Sequence, residues 1–223
     1  MPEPPDDTRD DGSGVGDRLL ITADDYGYSP AYNRGILEAG GAGAIDAAGA
    51  MVLRRWCEPG PLLATGVDPG LHLERGETVG AQLERFERSF GRPPAYLDGH
   101  HHCHADPELE PDVIAAARRL EVRVRAIDEG QRRRLRAAGI ATPDRLVGRL
   151  APGEAPLPPE VARVEHGEAA LPGLTEWMVH PGRLDPDSGS AYDAEREQDL
   201  DLVLRLAGAE PVRAWREGRP SGA

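Results

Sequence analysis

Short apolar runs that end in polar or titratable residues recur along the chain, and most are followed by a stretch of helical period. Leu19-Leu20-Ile21-Thr22 reads as a strand buried on both faces, and it runs directly into Ala23-Asp24-Asp25-Tyr26-Gly27. Ser29-Pro30 supplies an N-cap and a proline for the first helical position, opening a helix through about Ala39 with Ile36 and Leu37 inward. Ala50-Met51-Val52-Leu53 is a second candidate strand and Gly70-Leu71-His72-Leu73 a third, followed by a helix from about Glu77 to Phe90 carrying Leu83, Phe86 and Phe90. Pro94-Ala95-Tyr96-Leu97 forms a fourth strand, leading to a helix near Pro111 to Leu120 and then to a fifth at Val122 to Ile127. Glu176-Trp177-Met178-Val179 is the sixth, entering His180-Pro181-Gly182, and a final helix spans about Ala194 to Leu206 with Leu200, Val203 and Leu204 buried.

Between Gly139 and Gly173 the prolines at 143, 152, 156, 158, 159 and 172 break any period, so this segment reads as a long irregular connection, a lid or a partner surface. Repeated strand-helix units imply an α/β fold with a parallel sheet, closed or open, and helices outside.

Length and charge narrow the class. At 223 residues one full-sized core suffices, giving a disordered acidic tail over 1–17, a single domain over 18–215 and a fraying end over 216–223. A net charge of -13 without a basic run or basic-aromatic interleaving argues against nucleic acid and against an anionic membrane surface. Cys57 and Cys103 form no CxxC pair, and there is neither a long apolar span nor a basic leader, so a cytoplasmic protein with reduced thiols is expected.

The chemistry concentrates at Asp98-Gly99-His100-His101-His102-Cys103-His104, which holds four of the chain's seven histidines. On an extended backbone His100, His102 and His104 would share one face, and three imidazoles suit a divalent metal. A histidine-rich surface turn is the plainer alternative. Titratable residues also gather at the carboxyl ends of the other predicted strands: Asp24, Asp25, His72, Arg125 and His180, the face on which parallel α/β barrels build sites. An Asp-His-His set leaves coordination positions open on a zinc-like ion, whose bound water has its pKa lowered from about 15.7 towards 7. The second carboxylate of the Asp24-Asp25 pair could take the proton and His180 could protonate a leaving group. Alone, each has a structural reading: a turn at Asp24-Asp25, a core histidine at 72, a turn former at 180, a surface arginine at 125. Their joint position favours metal-assisted hydrolysis.

Ile21-Thr22-Ala23-Asp24-Asp25-Tyr26-Gly27-Tyr28-Ser29, Gly70-Leu71-His72-Leu73, Leu97-Asp98-Gly99-His100-His101-His102-Cys103-His104 and Glu176-Trp177-Met178-Val179-His180-Pro181-Gly182 resemble, in order, the motifs of the YdjC-like carbohydrate deacetylases, also called the chitooligosaccharide deacetylase family. The resemblance implies a distorted (β/α) barrel of mostly parallel strands, as in related glycoside hydrolases and deacetylases, one divalent metal such as magnesium or zinc, deacetylation of a small N-acetylated carbohydrate, and often a homodimer. It maps Asp25, His72 and His100 onto the metal ligands, Asp24 onto the general base, His180 onto the acid and Arg125 onto the arginine that orients the base. Where such proteins commonly carry a Thr-Ser pair, this chain has Ile45-Asp46-Ala47, in a segment expected to help wall the sugar pocket. A metal-dependent phosphoesterase would want a second metal and more cations, and a non-catalytic sugar- or metal-binding barrel would not need Asp24 beside Asp25.

Overall fold

In the computed structural model, which describes residues 18–149, 153–167 and 173–218, the apolar runs become seven strands. These are β1 (Arg18–Tyr26), β2 (Ala47–Ala50), β3 (Asp68–Leu73), β4 (Tyr96–Gly99), β5 (Arg123–Val124), β6 (Arg145–Gly148) and β7 (Leu174–Val179). All observed pairings are parallel, in the order β5-β4-β3-β2-β1-β7-β6, and the sheet curls into a distorted, incomplete (β/α) barrel. Among the described residues β5 and β6 form its two edges without pairing to each other. The calls on residues 1–17, 150–152, 168–172 and 219–223 lie outside the described residues.

Local chemistry explains the first helices. In α1 (Pro30–Gly41) the Ser29 hydroxyl accepts from the Tyr32 amide at 3.2 Å and proline occupies the first turn; in α3 (Val79–Phe90) Thr78 caps in the same way. Ile36, Leu83 and Phe86 are fully buried against the sheet, while Leu37 stays half-buried. α4 (Glu110–Leu120) and α7 (Asp193–Ala207) lie close to their expected spans.

Four expectations change. β2 lies at Ala47–Ala50 rather than 50–53, because the register selects four small, wholly buried residues: a Cβ on Gly49 would come within 3.1 Å of His72. The strand expected at Val122–Ile127 shrinks to two residues, Arg123 and Val124. The segment 139–173 is not irregular throughout: it holds β6 and α6 (Pro159–Glu165), with Pro143 ahead of the strand and Pro159 in the helix's first turn, so these prolines mark boundaries. Three short helices, α2 (Pro59–Ala64), α5 (Glu129–Ala137) and α8 (Glu210–Arg216), carry too few apolar positions for a period to show.

The end of α8 is held rather than frayed. Arg216 bonds Asp46 at 2.9 Å and the Gly43 carbonyl at 2.7 Å, while Asp46 also accepts from the Ile21 amide at 2.8 Å. Asp46 thus clamps β1 to α8 at the amino end of β2, opposite the strand ends that carry the titratable residues, and does not wall a pocket there.

The helix α1 crosses the segment after β7 at minimal distance. A Cβ on Gly35 would lie 2.4 Å from the Gly182 Cα, a backbone atom that cannot swing aside. Gly35→Ala is therefore expected to destabilise the fold by about 1–3 kcal/mol through overpacking. Urea denaturation checks this, and an unchanged midpoint would contradict so close an approach.

Candidate active site

On a regular strand Asp24 and Asp25 would face opposite sides of the sheet. Here the β1–β2 register shifts between Ala23 and Tyr26, and Asp25 adopts φ 73°, in the left-handed region that aspartate tolerates better than most residues. Both carboxylates are consequently buried and line one cavity of about 580 Å³, together with His72, His100, His180 and Arg196. Gly27, at φ 103°, donates its amide to Asn33 Oδ1 at 2.6 Å, tying the turn to α1.

Asp25, His72 and His100, from β1, β3 and the end of β4, each offer a donor atom, and these atoms all lie within 4.8 Å of one another. Asp25 Oδ1 is 3.4 Å from His72 Nε2 and 2.9 Å from His100 Nδ1. The β3–β4 register sets His72 opposite Asp98, and His72 Nδ1 meets Asp98 Oδ1 at 2.7 Å. With Nδ1 assigned as the donor in that bond, Nε2 presents its lone pair towards Asp25, the arrangement by which a carboxylate orients a metal-binding imidazole. Arg196, from α7, donates to Asp25 Oδ2 at 2.6 Å and leaves Oδ1 to the imidazoles.

Burial pushes the Asp25 carboxyl up, but the Arg196 guanidinium and the hydrogen bonds from His100 and His72 hold it well below the usual range. For His72 burial pulls the imidazole down, yet the Asp98 and Asp24 carboxylates hold it well above its ordinary value. Four buried carboxylates, Asp24, Asp25, Asp98 and Glu176, face two buried guanidiniums, those of Arg125 and Arg196. Without an ion a proton on His72 offsets one of these charges; once the imidazoles are neutral, as metal ligands must be, two negative charges stay uncompensated. That deficit and the Asp-His-His donor set fit one divalent cation. A second convergence, Asp24-His72-Asp98, is equally tight, but Arg125 already sits between its two carboxylates, 2.7 Å from Asp24 and 2.9 Å from Asp98.

Arg125 is no surface arginine. It is fully buried after β5, grips Asp24 through two parallel bonds of 2.7 and 2.8 Å, and donates through Nε to Glu176 at 2.9 Å. Burial pulls its pKa down, but Asp24, Asp98 and Glu176 together raise it well above the ordinary value, so it is a fixed charge. Arg125→Met would leave three buried carboxylates without their common counter-ion. The expected cost is about 3–5 kcal/mol, read as a lowered thermal midpoint, and a wild-type midpoint would refute the network.

The histidine run does not alternate as an extended chain would. The strand stops at Gly99 and a 3-10 segment covers His100–Ala105, with His101 at φ 49° and His102 at φ 57°. Only His100 joins Asp25 and His72. His101, although exposed, lines the cavity together with His102, and His104 turns inward, with Nε2 3.1 Å from the Arg125 carbonyl and its pKa pulled down by burial to about 4.

His180 lies just past β7, with its ring stacked on Tyr192 at 4.9 Å and Nδ1 buried without a partner. Burial lowers its pKa, opposed by Asp25 and Asp24. His166 sits at the end of α6, bonded to the Ala162 carbonyl and outside the cavity.

Sequence reasoning placed Asp98 at the site-bearing end of the sheet without giving it a role, and did not assign Glu176 or Arg196 to the site. A charge inside the apolar run of β7 was a readable signal for Glu176; the pairing of Asp98 with His72 depends on strand register, and nothing separates Arg196 from the other arginines of a charged helix.

A family model described as YdjC-like protein matches residues 18–75 and 76–210. A carbohydrate deacetylase from Geobacillus stearothermophilus is 30% identical over 223 aligned positions, covering 82% of this chain and 88% of its own. A chitooligosaccharide deacetylase from Serratia marcescens is 28% identical, covering 83% and 90%. A crystal structure from Enterococcus faecalis, whose description concerns cellobiose-phosphate cleavage, superposes with a TM-score of 0.70 at 19% identity over 92% of this chain and 95% of that one, a likeness of fold.

Proposed function

The chain belongs to the YdjC-like protein family, and from that premise we propose that it is a metal-dependent hydrolase removing the acetyl group from an N-acetylated sugar or small sugar conjugate. The observation that carries the reading is the Asp25-His72-His100 convergence with a rigidly held carboxylate, Asp24, lining the same cavity. The substrate class comes from the relatives' names, a carbohydrate deacetylase and a chitooligosaccharide deacetylase.

In this reading Asp25, His72 and His100 hold one divalent ion, magnesium or zinc, which would polarise the acetamide carbonyl and lower the pKa of a water. Asp24 takes the proton of the attacking water, and Arg125, by gripping both its oxygens, fixes the direction in which the carboxylate accepts. His180 delivers a proton to the departing nitrogen as the carbon-nitrogen bond breaks, releasing acetate and an amino sugar. Asp98 keeps the His72 ring turned. All these residues fall within 18–215, taken as one catalytic domain.

A phosphoesterase is less well served, since Arg196, which lines the cavity, and Arg125, buried behind Asp24, are both already engaged by carboxylates. A cytoplasmic setting is part of this reading, in keeping with Cys57 and Cys103 as free thiols; no helix among the described residues is long and apolar enough to cross a membrane.

The test is acetate release from N-acetylated mono- and disaccharides by metal-stripped and metal-reconstituted protein. Release is expected only after reconstitution. No release with any metal would end the deacetylase reading, and equal release from stripped protein would end the metal.

A further inference from the structure

We propose that Tyr192 is the positioning residue for His180: the face of its ring holds the imidazole at the angle from which it serves the departing nitrogen, while Asp199 fixes the main chain beneath. This rests on the deacetylase reading and adds the side chains on which its proton donor depends. The first observation is what the imidazole lacks. Among the described residues nothing hydrogen-bonds to its ring, and Nδ1 is buried without a partner, so Nε2 is the nitrogen that reaches the cavity. His72, by contrast, is turned by Asp98 through an in-plane bond of 2.7 Å.

In place of such a bond, the Tyr192 ring lies over that of His180 with centroids 4.9 Å apart and planes 17° from parallel. A stacked face restrains the tilt of a ring and leaves both of its nitrogens uncommitted. That suits a group that must change protonation state in each turnover, whereas an in-plane partner would commit one nitrogen to one tautomer.

Tyr192 can serve as a fixed surface because the chain on both sides of it is fastened. Its amide donates to Ser190 Oγ at 3.2 Å and its carbonyl accepts from the Glu195 amide at 3.1 Å, so it stands on the opening turn of α7. Beside it, Asp193 Oδ1 accepts from the Tyr32 hydroxyl at 3.0 Å and from the Asp185 amide at 2.8 Å, tying that turn to α1. The Gly153 amide, in the segment after β6, donates to Glu195 Oε1 at 3.1 Å and braces the turn from another side.

The same helix holds the backbone of His180. Asp199 Oδ2 accepts from the His180 amide at 2.9 Å and Oδ1 from Arg149 at 3.0 Å, both side chains being buried, and the Gly182 amide donates to the Arg196 carbonyl at 3.2 Å. Tyr192 and Asp199 lie about two turns apart. Ring and main chain of His180 are thus both set by α7, the element that also delivers Arg196 to Asp25.

The experiment measures kcat and KM for acetate release from N,N'-diacetylchitobiose by full-length, metal-reconstituted wild type, Tyr192→Leu and Tyr192→Phe. Loss of the ring face is expected to lower kcat about tenfold to a hundredfold while KM changes less than about threefold, and phenylalanine, which keeps the face, to recover most of that loss. p-Nitrophenyl acetate, whose phenolate leaves without being protonated, is expected to lose no more than about threefold in the leucine variant. A loss confined to KM would make Tyr192 a wall of the cavity, and an equal loss on the ester a general lesion of the site. Either result, or a phenylalanine variant as poor as leucine, overturns the positioning role while leaving deacetylation intact. If wild type releases no acetate, the deacetylase reading fails instead, and the ring is read directly by proton-carbon correlation spectra of the histidines, with His180 assigned from His180→Gln. Wild type is expected to show an upfield-shifted, rigid ring and Tyr192→Leu an unshifted, mobile one; the same shift and relaxation in both overturns the proposal.

Discussion

Replacing Asp24 with asparagine is expected to lower acetate release by about a hundred- to ten-thousandfold while the protein still binds its metal, the range over which a positioned general base contributes. The substitution keeps the shape of the side chain and removes its capacity to take a proton. It also disturbs what holds it: Arg125 now donates to two carboxylate oxygens, and an amide offers one acceptor while turning its NH2 towards a guanidinium. Some loss of thermal stability should therefore accompany the loss of turnover. The Asp25-His72-His100 donors are untouched, so metal content, measured on the purified variant, should match wild type. Unchanged turnover would remove Asp24 from the mechanism, and lost metal would place it among the ligands.

His72→Ala should act on the other half of the site. It deletes one of three convergent donors and leaves Asp98 Oδ1 facing an empty space in a buried network. Metal affinity, measured by competition with a chromophoric chelator, should fall by more than the roughly 10–100-fold seen when only a supporting partner is lost. Acetate release should fall in step at limiting metal. Full affinity in the variant would reject His72 as a ligand.

Much of the architecture was legible where several local signals agreed. Ser29-Pro30 marked the start of α1, the Leu83-Phe86-Phe90 spacing marked α3, and titratable residues at the ends of apolar runs marked one end of the sheet. What was hidden depends on register or on long-range packing. β2 could not be separated from Met51 and Val52 by hydropathy, because its alanines and glycine are chosen for size against β1 and β3. The histidine run suggested alternation since period 2 presumes a strand that continues, whereas this one ends at Gly99, where a Cβ would strike Cys103 Sγ and the His104 amide at 2.9 Å. In 139–173, counting prolines as breakers missed their role as boundaries. Arg196 reaches Asp25 across 171 positions of sequence, a separation no local pattern spans.

The bulge at the end of β1 limits which carboxylate can occupy position 25, whatever its neighbours require. Chemically, glutamate would serve a cation as well; conformationally, a main chain at φ 73° disfavours it, as it does alanine, relative to aspartate, asparagine, histidine and glycine. Of those four, one is an anion. A saturation library at this codon should thus return aspartate as its one functional anion, with asparagine and glycine inert and less stable because each leaves the buried Arg196 without its counter-ion, and the selection would be imposed by peptide geometry before the chemistry of any ion is consulted.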